Sequence, residues 1–146
     1  MKTSFNKSEV EAILPQKYPF RFVEEIVSYN YDQKLIIARQ SFNSDEYFFE
    51  GHFPGNPIVP GVLLIESMAQ TALILLSQLL KIEIKSAYLV KVIQSTFYNV
   101  VFPNETIFIQ NGSLNKKGNF WEIELKIKNS SNKKIAKSVL LLKAEI

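Results

Sequence analysis

The chain holds one histidine and no cysteine in 146 residues, so candidate chemistry gathers in few places. His52 lies in Gly51-His52-Phe53-Pro54-Gly55. An imidazole titrates near neutral pH and can take or give a proton. The flanking glycines let the backbone turn tightly, and the proline stiffens it. Fourteen residues later, Glu66 falls in the second turn of a long apolar run. A carboxyl group there should have a raised pKa, because desolvation disfavours its charged form. Two titratable groups whose environments pull them apart are the makings of an acid–base site. Each residue alone has a plainer reading: a structural loop histidine, and a glutamate that caps a backbone group or pairs with a lysine. Between them, Pro60-Gly61 leaves open the N–H groups that start a helix. Such groups, at the positive end of the helix dipole, can polarise a carbonyl oxygen. Their plainer reading is helix initiation only.

These residues need a frame to hold them. Val62–Leu80 reads as one helix of 19 residues, long enough to raise the question of a membrane span. At 100° per residue its six polar side chains (Glu66, Ser67, Gln70, Thr71, Ser77 and Gln78) share an arc of about 140°, leaving the rest apolar. A lipid-facing helix would not carry a glutamate and two glutamines on one side. The pattern predicts a buried core helix whose polar stripe faces a partner subunit or a cleft. Around it the chain is rich in strand signals. Phe20–Tyr31 and Lys34–Phe42 read as a hairpin about Asp32-Gln33, and Ala87–Val101, Thr106–Leu114, Phe120–Lys128 and Ile135–Ile146 read as further strands. Lys117-Gly118-Asn119 and Asn129–Asn132 suit turns. Ser8-Glu9-Val10-Glu11 has capping-box spacing and opens a short helix that stops near Pro15. Residues 43–61 read as an irregular loop. The predicted class is α+β, one domain over residues 1–146, with a curled antiparallel sheet wrapped around one long central helix.

Composition narrows the rest. At 47% apolar and 21% charged, the chain is too apolar for disorder and too mixed for a membrane bundle. The absence of cysteine excludes a thiol nucleophile and a thiolate metal site. A lone histidine excludes a His-rich metal site, and no EF-hand-like spacing marks the all-carboxylate site that would remain, so no metal is expected. A net charge of +3 does not argue for nucleic acid. The charge is unevenly spread, with −4 over residues 40–80 and +5 over residues 111–146. The basic quarter reads first as a solvated face and second as a docking patch for an acidic partner. The opening MKTSFNKSEVEAIL lacks the apolar core of a secretion signal, so the expected location is the cytoplasm.

Three strings carry a family resemblance: Ile13-Leu14-Pro15-Gln16-Lys17-Tyr18-Pro19-Phe20, Gly51-His52-Phe53-Pro54-Gly55-Asn56-Pro57-Ile58-Val59-Pro60-Gly61-Val62-Leu63, and Ile65-Glu66-Ser67-Met68-Ala69-Gln70. Together they resemble the FabZ-type 3-hydroxyacyl-acyl-carrier-protein dehydratases, which have the hotdog fold. The resemblance implies that His52 removes the proton α to a thioester carbonyl and that Glu66 protonates or orients the departing β-hydroxyl. It implies that the Gly61 N–H binds the thioester oxygen, and it places Phe53, Pro54 and Gln70 among the substrate-binding residues. Phe20, Phe53 and Met68 are candidates to line an acyl tunnel, although such residues usually serve the core. The implied chemistry needs no cofactor, and the implied partners are an acyl carrier protein bearing a phosphopantetheine-linked chain and a second copy of the subunit. In such enzymes His and Glu come from different subunits, and dimers often assemble as a trimer of dimers.

The chain departs from the family pattern at Gln16, where histidine is usual, and at Glu24, where aspartate is common. It also departs at Gln94-Ser95-Thr96-Phe97-Tyr98-Asn99, a stretch typically rich in Lys and Arg, and at Asn104-Glu105, where Gly-Asp is usual. None of these removes a candidate catalytic group; they bear on carrier docking and chain length. Competing readings are a hotdog acyl-thioesterase and a non-catalytic acyl-binding or hetero-oligomer subunit. Relatives that also isomerise usually carry aspartate at the position of Glu66, so the glutamate favours plain dehydration.

Overall fold

The computed structural model describes residues 2–145. Met1 and Ile146, the ends of the expected domain and of its last strand, lie outside the described residues. Along the chain come α1 (Lys7–Ile13), β1 (Glu25–Asn30), β2 (Leu35–Ser41), a 3₁₀ turn (Tyr47–Glu50), α2 (Gly61–Leu80), β3 (Ser86–Phe97), β4 (Thr106–Lys117), β5 (Phe120–Asn129) and β6 (Lys134–Glu145). The six strands form one sheet in the order β1-β2-β4-β5-β6-β3. Every neighbouring pair is antiparallel. This is the hotdog arrangement: one face of the sheet curls over α2.

The packing follows from alternation in the strands meeting the apolar arc of the helix. β2 and β5 bury every second residue, so Ile36, Ala38, Ile123, Leu125 and Ile127 face inward. They meet Met68, Ala72, Leu75 and Leu76 of α2, all fully buried. Each of the larger of these side chains contributes roughly 1.5–3 kcal/mol by leaving water. By length and composition α2 could cross a membrane, but most of it is buried inside this protein as a core helix.

Several element boundaries correct the sequence expectations. α1 is capped by Asn6, two residues before the expected Ser8. Its side chain accepts from Glu9 N at 2.9 Å, and Glu9 Oε1 accepts from Asn6 N at 3.0 Å. Both caps fit the spacing rule; the earlier one wins because Phe5 is already held by its backbone bridge to Ile26. The first strand begins at Glu25, not Phe20. Three backbone groups of residues 20–22 are taken by α2: Phe22 N donates to Gln70 Oε1 at 2.7 Å, Ser67 Oγ donates to Phe22 O at 2.9 Å, and Gln70 Nε2 donates to Phe20 O at 2.9 Å. Two of the stripe's six polar residues, Ser67 and Gln70, therefore hold the chain's own segment. β3 ends at Phe97, short of Val101. Beyond it Tyr98 N donates to Ile135 O at 2.8 Å, and Val101 O accepts from Val59 N at 2.8 Å. That last bond ties the strand's continuation to the loop that carries His52.

The two sheet edges differ. β1 is covered by the N-terminal segment, through Phe5 and a bond from Tyr29 N to Thr3 O at 2.8 Å. Among the described residues β3 pairs with β6 on one side and with no strand on the other, and Leu89, Val90, Val92 and Ile93 are exposed along it.

Candidate active site

The segment from Gly51 to Gly61 is a closed loop whose hydrogen bonds aim His52. The 3₁₀ turn delivers the chain, with His52 N donating to Phe48 O at 3.1 Å. Ile58 then returns alongside, and its N–H donates to His52 O at 3.0 Å. Inside this closure Phe53 N donates to Asn56 O, and Asn56 N donates to Phe53 O. Gly55 sits at φ +72°, a conformation that L side chains rarely adopt, which gives a physical reason for glycine there. The His52–Phe53 peptide is cis. The two rings stack with centroids 4.1 Å apart. Phe53 and Pro54 stand exposed at the tip.

The imidazole itself is half-buried, with Nδ1 3.0 Å from Ile58 O. A carbonyl oxygen can only accept, so Nδ1 carries a proton. In the neutral ring the lone pair is then on Nε2, away from the loop. The backbone thus selects the tautomer, which is what a proton-abstracting imidazole requires. No sequence signal marks Ile58 for this work, because its main chain does it.

At the start of α2 the N-cap is Pro60, which offers no side-chain bond. Leu63 N and Leu64 N turn back to Pro60 O. The N–H groups of Gly61 and Val62 take no backbone partner among the described residues, as expected for a helix's first turn. A Cβ on Gly61 would stand 3.2 Å from the Phe97 ring. The glycine is therefore a close-approach residue, and Phe97 roofs the helix start. Sequence reasoning missed Phe97, because one aromatic in a strand carries no mark of what it touches.

Glu66 lies one turn further along. Burial pushes its carboxyl above the ordinary 4.5, and a hydrogen bond from Gln70 partly opposes the rise. The direction agrees with the sequence expectation, and the cause is desolvation. Gln70 Nε2 donates to Glu66 Oε2 at 2.9 Å. Gln70 is itself 0% exposed, with its amide shared among Phe20, Phe22 and Glu66. Met68 is fully buried in the core, whereas Phe20 is partly exposed beside the Gln70 contact.

No hydrogen bond or ion pair joins His52 to Glu66 among the described residues of one chain. Four surface cavities of about 660, 570, 180 and 340 Å³ lie elsewhere, and none of these four is lined by His52, Gly61 or Glu66. One subunit thus presents the candidate base, acid and oxyanion donor outside these four cavities.

Comparison with known proteins places the chain. Residues 14–134 match the model of the FabA-like domain. The 3-hydroxyacyl-[acyl-carrier-protein] dehydratase FabZ of Pediococcus pentosaceus is 35% identical over 82% of this chain and 79% of its own length. The bifunctional enzyme LpxC/FabZ of Chlorobaculum tepidum is 37% identical over 73% of this chain, which spans only 23% of that longer protein. Among solved structures, the dehydratase heterocomplex ApeI:P from Xenorhabdus doucetiae superposes with a TM-score of 0.75. That match covers 94% of this chain and 91% of the other at 17% identity, and so speaks to the fold.

Proposed function

This chain belongs to the FabA-like family and is a 3-hydroxyacyl-[acyl-carrier-protein] dehydratase of fatty acid biosynthesis; we propose that His52 is its base, Glu66 its acid and the Gly61 N–H its oxyanion donor. His52 Nε2 takes the proton α to the thioester carbonyl. Negative charge then develops on the thioester oxygen, where the Gly61 N–H and the helix dipole meet it. One such donor is worth about 2.7–4 kcal/mol of barrier. The β C–O bond breaks as Glu66 gives its proton to the leaving hydroxyl. The products are water and the trans-2-enoyl thioester, and the chemistry uses no cofactor.

The observation that carries this reading is the opposed preparation of two groups. Ile58 O leaves His52 its lone pair on Nε2, while burial favours the protonated Glu66. Gln70 is a positioning residue in this scheme: with its amide fully engaged in the interior, it works on Glu66 and not on substrate. Phe53 and Pro54 border the approach to His52 and contact the incoming arm.

The working unit is a homodimer, with each site taking His52 from one subunit and Glu66 from the other. Support comes from β3, whose apolar open edge would be an aggregation template unless a second copy covered it. Phe97, which touches Gly61, ends that same strand, so covering the edge would enclose the helix start. Three dimers assemble into a hexamer in this reading, and the enzyme works in the cytoplasm as one domain.

The test is spectroscopic. Hydration of a short trans-2-enoyl thioester removes its conjugated absorbance, and the wild type should do this while His52→Ala and Glu66→Gln lose about 10²–10⁴-fold. A folded wild type that hydrates neither small nor carrier-linked enoyl thioesters would overturn the assignment.

A further inference from the structure

A substrate delivered on a carrier needs a landing surface within reach of the site, and β5 and β6 carry an unusual one. Lys126 of β5 stands opposite Lys137 of β6, and Lys128 opposite Lys134. Like charges directly across a ladder repel, so two such pairs in succession do not serve the fold. The four lysines surround a concavity of about 180 Å³ that also includes Tyr98. Among the described residues Glu124 is the one acid bridged to them, 3.6 Å from Lys137 Nζ. Lys134 Nζ lies over the Tyr98 ring at 5.7 Å.

The surface adjoins the start of α2. Gly61 abuts the Phe97 ring, Tyr98 is the next residue, and Asn99 Nδ2 donates to Lys134 O at 2.6 Å. A path of neighbouring residues thus runs from the oxyanion donor to the lysines. Four cations call for a partner with several negative charges. A phosphopantetheine arm supplies one phosphodiester, and carboxylates on the carrier must supply the others.

Resting on the dehydratase reading above, we propose that Lys126, Lys128, Lys134 and Lys137 form the docking surface for an anionic face of the acyl carrier protein. Docking there leaves the arm to pass Tyr98 and Phe97 toward Gly61. Attraction of this kind speeds encounter and is screened by salt.

The experiment compares one 3-hydroxyacyl group on two handles, the carrier protein and N-acetylcysteamine, using the full-length oligomer. For Lys126→Glu/Lys134→Glu, kcat/KM on the carrier-linked substrate should fall roughly tenfold or more through KM, a fall within the range of charge steering. Turnover of the N-acetylcysteamine thioester should stay at the wild-type level, which also certifies the fold. The milder Lys126→Ala/Lys134→Ala should fall in between. Raising salt from about 50 to about 500 mM should erode the wild type's carrier advantage, because the screening length shrinks severalfold. Unchanged carrier-linked turnover in both variants would overturn the docking surface, as would equal losses on both handles. Wild-type inactivity on both handles would instead overturn the dehydratase reading and this proposal with it.

Discussion

Gln70 Nε2 donates to Glu66 Oε2 at 2.9 Å, one turn apart on α2, while the same side chain holds Phe20 O and Phe22 N. One buried amide thus joins the candidate acid to the segment that replaces the start of the expected first strand. This link makes the protonation of Glu66 depend on a residue that need not touch substrate.

Replacing Gln70 with leucine should therefore move a titration. The amide donates to the carboxylate and favours its charged form, so its loss raises the Glu66 pKa further. Dehydration needs the protonated acid, and the alkaline limb of kcat should shift upward in Gln70→Leu. Stability should fall by about 1–3 kcal/mol, because Phe22 N–H loses its partner in the interior. A pH–rate profile separates the two effects, since a purely structural role would leave the limb in place.

Glu66→Gln should trade activity for stability. The folded-state pKa of Glu66 lies above its ordinary 4.5. As pH rises from below 4.5 through the folded value, the unfolded chain releases its proton first, and the wild type loses stability relative to acid conditions. A glutamine in that place has no proton to lose. The variant should melt higher than the wild type near neutral pH, and the gap should close as pH falls below the ordinary carboxylate range. Paired denaturant titrations across that window check the sign.

The helix start offers a coupling test. Gly61→Ala keeps the N–H but sets a methyl group 3.2 Å from the Phe97 ring. Helix propensity favours alanine by up to about 1 kcal/mol, so the expected loss is in rate and not in folding: about tenfold in kcat, the equivalent of 1.4 kcal/mol. In a Phe97→Ala background the same substitution should cost little, because nothing then displaces the donor. Additive losses in this double-mutant cycle would place the damage elsewhere.

The fold was legible because its signals are periodic. The polar residues of α2 fall on one arc, and the strands alternate, so a sheet wrapped about a buried helix follows from pattern alone. What stayed hidden was where polar backbone is satisfied across long sequence distances. Nothing near Phe20 says that its carbonyl is held by a side chain fifty positions away. The Ile58 carbonyl that orients His52 is equally invisible, since any residue supplies one. Asn104, a departure from the family's glycine, became intelligible only in place. It sits at φ +66°, which asparagine tolerates better than most residues, and its Oδ1 accepts from Ser44 N at 3.1 Å. His52, Gly61 and Glu66 are candidates by type and spacing; how they would meet is not written there, and no hydrogen bond or ion pair joins His52 to Glu66 among the described residues of one chain.

The pairing of His52 with Glu66 gives the most direct test. If each site draws His52 from one subunit and Glu66 from the other, a mixed dimer of His52→Ala and Glu66→Gln places both lesions in one site and leaves the second intact. Random re-association of equal amounts makes half the dimers mixed, so about a quarter of all sites should recover. If His52 and Glu66 of the same subunit worked together, every site in the mixture would carry a lesion and no activity would return. Charging the open edge, as in Ile93→Lys, should block recovery as well, because in the proposed dimer the second copy covers β3. Sedimentation of that variant as a folded monomer, without activity, would tie assembly to catalysis. An active monomer would show instead that one chain completes its own site.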